Sequence, residues 1–509
     1  MTRPFWAGTV SVLCVYVYFL IFAQFGFLHL LEEKTLLEGN LELIMAAMGV
    51  TGLVTSLLTA WALSKWKASL NRMVRFGFIS ASSMAFLAPF LSGTWQAVLI
   101  STGIGFSLGL LTVGLAAGLR TLLGNRLGLG VGLGTGLAYA ISNISWLFEG
   151  NGNRVSLFCG VVPLVGFLAT LSYTRSSGEA PLPIKTAKKG LITFGLIVAG
   201  FLSLVWLDSA AFYVIQQTPD LKSHIWEAPQ HKTWIALSHL LAAIITGITL
   251  DAGQSAERLR YVVSGIAVSF ISLATGYALI ENPSWLANLA GPFYAIGVSI
   301  YSTLLVALPG MKLPSLNRVP MAWQAGILFA VAGWFGSANG IGMARELNRI
   351  PLLFFVFSAI GVGLLLSRVT FRNSWFIGYI LTVAVLLQPA YPNELKTSLV
   401  ERGRKVYISQ GCIHCHSQFV RPETEDLQWF GSPSMPPEAD HERPVLVGYR
   451  RQGPDLTHTG SRKPKAWQKG HLINPRKYSP GSVMPSYRHL FSSPNGDGDA
   501  LLAYLNSLK

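Results

Sequence analysis

A chain of 509 residues in which 51% are hydrophobic and only 12% are charged departs from soluble domains, whose charged share is about a quarter. The formal charge is +15, with 23 Lys/Arg against 13 Asp/Glu in residues 1–389 and 16 against 11 in residues 390–509. Most of that excess lies in short connections between apolar runs, so it reports membrane topology and excludes nucleic acid as a partner.

Taken in chain order, apolar runs of bilayer-crossing length are predicted at 5–27, 43–63, 76–92, 95–119, 127–148, 155–171, 191–215, 233–250, 261–280, 286–308, 321–342, 350–367 and 373–391. The first run is too long for the apolar core of a signal peptide and lacks a small-residue cleavage site, so it reads as a span. An odd count with the N-terminus inside places the tail after span thirteen outside. Loop charge gives the same orientation: the connections assigned inside hold seventeen Lys/Arg, counting Arg3, and those assigned outside hold six.

The longest inside connection, 172–190, holds Ser-Ser-Gly, two prolines and four basic residues, and separates six spans from six. Between spans four and five, Asn125 and Arg126 precede glycines 128, 130, 132, 134 and 136. Between spans eight and nine, Gly247 and Asp251 precede Arg258 and Arg260. With the six-plus-six count, these motifs resemble the major facilitator superfamily, whose halves are related repeats. The first-half copy of the Gly-x-x-x-Asp loop departs from that pattern, reading Trp61, Ala62, Leu63, Ser64, Lys65. Glycines at intervals of four also serve close helix packing, whether or not anything is transported.

Ionisable residues inside spans are expensive and mark functional candidates. Asp208 in span seven and His239 in span eight both fall toward the outer side and form a candidate proton-responsive pair, or else a locally hydrogen-bonded polar pair. Gln24, Asn143, Gln324 and Asn339 line a cavity or join helices. Met45, Met48 and Cys14 offer soft ligands of the kind that hold Cu(I), although methionine is also a common core filler. Cys14 and Cys159 otherwise read as packing residues. A catalytic oxidase subunit is excluded, since it needs several intramembrane histidines and only His239 is well placed.

The tail, 394–509, reads as a small helical domain. A helix over 401–410 ends at Gly411. A second over 499–509 presents Leu501, Leu502, Tyr504, Leu505 and Leu508 on one face. Directly after Gly411 comes Cys412-Ile-His-Cys415-His416, the spacing for covalent attachment of c-type haem. Cys412 and Cys415 are the expected thioether sites, and His416 the proximal iron ligand. The competing readings are a redox Cys-x-x-Cys and half of a zinc site. The chain has no second cysteine pair to complete a zinc site, and the adjoining histidine does not suit a thioredoxin-type motif. For the sixth ligand, Met484 lies 68 residues after His416 in a Gly-Ser-Val-Met-Pro loop. Met435 competes but is only nineteen residues on, and His458, His471 and His489 remain further candidates.

Four ordered blocks then carry a closer resemblance: 407–422 around the haem motif, Gly453 to Leu456, His471 to Arg476, and Met484-Pro485. They resemble the monohaem cytochrome c subunit of cbb3-type cytochrome c oxidases. The resemblance implies haem on Cys412 and Cys415, iron ligation by His416 and Met484, and a haem edge or propionate environment at Arg421 and the loop containing Pro454. It does not extend to the twelve-span domain, which that subunit lacks.

The expectation is therefore an all-α chain, a polytopic membrane bundle followed by a small class I-like cytochrome c domain. Its parts are two six-helix halves, 1–171 and 191–372, joined by a cytoplasmic linker at 172–190, then a thirteenth helix and linker at 373–393, and a periplasmic domain at 394–509. The expected cofactor is one covalent haem c. The expected role is single-electron transfer in a respiratory chain at the bacterial inner membrane, with the bundle as anchor or scaffold. Expected partners are membrane lipids and periplasmic or membrane redox proteins, a terminal oxidase or other respiratory complex among them. The alternative is a solute transporter, of metal or another solute, regulated or energised by its cytochrome domain.

Overall fold

The computed structural model describes residues 2–508 except 37–39, 67–68, 145–150, 174–188, 218–228, 255–256, 282–286, 312, 314–315, 317–318, 348–349, 351, 371–378, 380–398, 434–445, 448–450 and 492–495. The chain divides into two compact units, Met1–Ala390 and Tyr391–Lys509.

Among the described residues of the first unit, ten apolar stretches are long enough to cross a membrane, which makes this a multi-pass membrane protein. Helices satisfy every backbone polar group internally, the requirement for crossing lipid. The helices are α1 (Arg3–Glu33), α2 (Leu41–Lys65), α3 (Leu70–Leu87), α4 (Thr94–Leu123), α5 (Leu127–Ser142) and α6 (Gly152–Thr170). There follow α7 (Lys189–Gln217), α8 (Pro229–Ala252), α9 (Arg258–Glu281), α10 (Ala290–Ala307), α11 (Met321–Arg345) and α12 (Leu352–Thr370). The apolar stretch Thr94–Ser142 yields both α4 and α5 because Gly124 takes φ +57°, a conformation that breaks a helix at little cost to glycine. The expected thirteenth span, 373–391, lies outside the described residues apart from Tyr379. Two long π-helical stretches, Tyr18–Gly26 in α1 and Leu328–Phe335 in α11, widen those helices locally.

Predicted boundaries move by several residues, and the shift at the third span brings charge into the helix. Span three was expected to begin at 76, yet α3 starts at Leu70 and takes Arg72 and Arg75 inside it. The Arg75 guanidinium reaches the end of α6, donating to Thr170 Oγ1 (3.1 Å) and to the Thr170 carbonyl (3.0 Å). A long basic side chain at a helix end can thus be satisfied without leaving the helix.

Within a bilayer, helices associate through close packing and polar contacts, so small residues mark the interfaces. At Gly128 and Gly132 of α5 an added Cβ would fall on the carbonyl oxygens of Gly247 and Ala243 in α8. On another side of the bundle, Gly52 of α2 receives the Trp334 ring of α11. These contacts pack α5 on α8 and α2 on α11, joining the first six helices to the second six.

In the second unit, α13 (Leu399–Ser409) crosses α19 (Asp497–Ser507), with α14 (Cys412–Cys415), α15 (Asp426–Phe430), α16 (Thr459–Arg462), α17 (Lys465–Ile473) and α18 (Pro475–Tyr478) between them. The terminal helices each begin two residues before the predicted start. Their crossing is tight at Gly403, where a Cβ would fall on the Ala500 carbonyl. Val406, Tyr407, Leu501, Leu502, Tyr504 and Leu505 are buried in one cluster with Cys412, Leu472 and Tyr487. The expected packing of the last helix on the first is the observed one.

Candidate functional site

The site is built where α13 stops. Gly411 adopts φ +72°, the left-handed conformation that ends a helix, and its N–H bonds the Ile408 carbonyl at 3.0 Å. The chain then makes one short helical turn, α14, that carries both cysteines. Cys412 is buried in the apolar cluster and Cys415 is half-buried, and neither is in a disulfide. Burial pushes the Cys412 thiol up to about 11, a thiol and not the thiolate that redox Cys-x-x-Cys chemistry uses. Among the described residues no group of three or more His, Cys, Asp or Glu is placed to hold a metal ion.

His416 follows in extended conformation. Its Nδ1 lies 2.8 Å from the Pro454 carbonyl oxygen, an acceptor only, so Nδ1 carries the proton and Nε2 keeps its lone pair free. That is the arrangement by which a second partner orients a metal-binding imidazole. Burial holds His416 below the ordinary imidazole range, only partly offset by the Pro454 bond and the Asp455 charge, so the ring is neutral at pH 7. Gly453 lies against the ring, where any Cβ would overlap it, and the Gly453 N–H bonds the Cys415 carbonyl at 2.8 Å.

Asp455, fully buried, fixes this loop to the haem motif. Its Oδ2 accepts from Ser417 Oγ (2.6 Å) and Phe419 N (2.8 Å), and its Oδ1 from Thr457 N (2.8 Å). Arg451 Nη2 stands 3.7 Å away, and Arg451 Nη1 pairs with Asp426 at 2.7 Å. Arg451 holds φ +49°, a strained backbone for arginine, while its guanidinium covers the Phe430 ring at 5.2 Å. Arg462 covers the same ring from 5.3 Å and donates to the Asp455 carbonyl. The block Gly453 to Leu456 was legible as a match, but the role of Asp455 as the tie between two loops was not.

Met484 packs against the same cluster as Cys412. Gly481 turns the chain at φ +82°, and the loop is held to α17 by Tyr487 N to the Leu472 carbonyl (2.8 Å) and Ser486 Oγ to the Ile473 carbonyl (2.7 Å). Met435 lies outside the described residues. The three histidine candidates have other neighbours: His458 faces the Ser432 carbonyl (3.3 Å), His489 faces Gln410 Oε1 (3.3 Å), and His471 stacks on Trp467 at 4.8 Å. Burial, helped by the Lys463 charge, keeps His471 below the usual imidazole range. Arg421 is exposed, and its N–H bonds Asp426 at 3.1 Å. Among the described residues, buried His471 Nδ1 has no hydrogen-bond partner, and a polar atom of that kind suits a carboxylate of a bound macrocycle. The donor set and its surroundings fit a haem.

In the membrane unit, Asp208 and His239 hydrogen-bond to separate residues of α10. Asp208 accepts from the hydroxyls of Tyr294 and Tyr301, seven residues apart on α10. His239 Nδ1 bonds Ser299 Oγ at 2.7 Å, and its ring stacks on Tyr139, which bonds Ser302 at 3.0 Å. Gln324 serves the preceding turn, donating to the carbonyls of Leu316 and Val319. Asn143 and Asn339 bond carbonyls one helical turn back, so both act locally. One small pocket is lined by Arg120, Asn125, Asp251 and Arg258, and a second, apolar one by Val12, Tyr16, Val306 and Phe329.

Residues 380–508 match the family described as cytochrome c oxidase, mono-heme subunit/FixO. No curated protein matches the chain. Similar solved structures include the E. coli fucose:proton symporter FucP, at 13% identity and TM-score 0.49, covering 72% of this chain and 98% of that one. Another is the major facilitator superfamily proton:xylose symporter XylE bound to 6-bromo-6-deoxy-D-glucose, at 12% identity and TM-score 0.47, covering 76% and 94%.

Proposed function

We propose that this chain is a membrane-anchored monohaem cytochrome that passes single electrons in a respiratory chain, on the periplasmic side of a bacterial inner membrane. The observation that carries the reading is His416, its Nδ1 proton held by Pro454 over the Gly453 cradle, directly after two cysteines on one turn, inside the segment that matches the monohaem oxidase subunit. Cys412 and Cys415 are assigned as the thioether sites, with His416 and Met484 as the axial ligands. A bound haem supplies a one-electron couple, and thioether ligation sets it at high potential.

The protein's part is to orient and to exclude. Pro454 fixes the His416 tautomer. Asp455 holds the loop that carries Pro454, and the cluster around Cys412 and Met484 keeps the site apolar. Arg421 and Pro454 belong to the haem environment in this reading. The match to an oxidase subunit family supports a terminal oxidase complex as partner. The twelve helices then serve as anchor and scaffold, which accords with the divergent loop after α2.

The test is the reduced-minus-oxidised spectrum of the purified chain, which should show one low-spin c haem that survives denaturing electrophoresis. Met484→Ala should retain the covalent haem and lower its potential. A colourless product would end the proposal. A second reading, solute transport, has Asp208 in its favour, an ionisable group inside a helix bundle. It requires uptake into vesicles that Asp208→Asn abolishes.

A further inference from the structure

Charge is segregated along the second unit. Residues 391–455 carry eight Lys/Arg and nine Asp/Glu, whereas residues 456–496 carry seven Lys/Arg and no Asp/Glu. Lys463 and Lys465 stand at the start of α17, Arg476 and Lys477 lie on α18, Arg488 follows the Met484 loop, and all five are exposed. In sequence Val483 lies between Lys477 and Arg488, next to Met484, and is 78% exposed. The loop that carries both is hydrogen-bonded through Ser486 and Tyr487 to the end of α17 at Ile473 and Leu472, next to the start of α18 with its Arg476 and Lys477. His471, on the same helix, stacks on Trp467, whose ring the Lys463 ammonium covers at 4.7 Å.

We propose that this basic face, with Val483 as its apolar centre, is the docking surface for a redox protein bearing an acidic patch. The proposal rests on the haem reading above and names the partner's chemistry. A single-sign rim steers an oppositely charged partner and fixes its orientation. A small apolar centre excludes water where the two proteins come closest. Three of the five cations are lysines, hydrated and flexible, which suits a complex that must dissolve after each transfer. An anionic lipid surface would also attract such a rim, and the experiment separates the two.

The full chain is placed in nanodiscs, reduced, and mixed with ferricyanide or with tris(phenanthroline)cobalt(III). In each case one electron leaves the protein and the reagent metal goes from the +3 to the +2 state, with no proton or bond transferred. The ferricyanide rate should fall about tenfold between low and high salt, and the cobalt rate should rise. Lys463→Gln/Lys477→Gln/Arg488→Gln should flatten both slopes. Arg402→Gln/Arg404→Gln/Lys405→Gln removes equal charge from α13 and should leave them within about twofold of the parent. Equal effects of the two triple variants would overturn the proposal, since only net charge would then matter. It would also fall if adding phosphatidylglycerol to the discs erased the difference between parent and first variant, because headgroups would then cover the face. A protein without the haem spectrum would refute the underlying reading before any rate was taken.

Discussion

The Asp251 carboxylate accepts the backbone N–H of Gly128 at 2.7 Å, and its other oxygen takes the N–H of Leu129 at 2.8 Å. These are unpaired donors at the start of α5, bound by a residue 123 positions away at the end of α8. A carboxylate there satisfies both donors and complements the positive end of the helix dipole. Just beneath, Gly128 and Gly247 bring the two backbones together. The two sequence motifs between spans four and five and between spans eight and nine are thus two sides of one junction between the halves of the bundle.

Removing that cap should loosen the junction. Asp251→Ala is expected to cost about 1–2 kcal/mol, as for other lost N-caps, with Asp251→Asn milder because one acceptor remains. Thermal unfolding of the detergent-solubilised chain measures it, and a Tm unchanged in Asp251→Ala would contradict the assignment.

In the second unit, Gly403→Val should be more damaging than any exposed substitution nearby. The new side chain would strike the Ala500 carbonyl, and the α13–α19 crossing would separate at a cost of about 1–3 kcal/mol or more. Chemical denaturation followed at the haem absorbance reads the loss; stability equal to the parent would show that the helices do not cross as closely as described.

Asp455 holds three donors from a fully buried position. Asp455→Ala strands them, which costs about 1–3 kcal/mol for each buried donor left unpaired. It should also release Pro454 from His416 and shift the midpoint potential, whereas Asp455→Asn should keep part of the network and shift it less. Potentiometric titration decides, and a potential indifferent to both changes would assign Asp455 to stability alone.

For the membrane unit, Asp208→Asn and His239→Ala are expected to leave the haem potential untouched and to lower the thermal stability of the bundle, because each loses bonds to α10. A change in vesicle uptake with unchanged stability would instead favour the transport reading.

The haem motif and the candidate ligand Met484 were legible because attachment spacing and a Met-Pro loop are local in sequence. The helices were legible because a bilayer-length apolar run announces itself within about twenty residues. Boundaries were less so: α3 begins with two arginines, and only Thr170 in α6 explains how Arg75 is accommodated. Asp208 and His239 were found as candidates from their polarity, but their hydrogen-bond partners lie on α10, a helix that no periodicity ties to either of them.

By itself the amino-acid order settled the membrane class, the division into apolar bundle and polar tail, and the candidate haem chemistry, since each depends on composition or spacing over a short stretch. The tertiary structure decided what Asp251, Asp208 and Asp455 are for. A carboxylate's role follows from the donors that fold against it, and for Asp251 and Asp208 those donors come from residues 86 to 123 positions away.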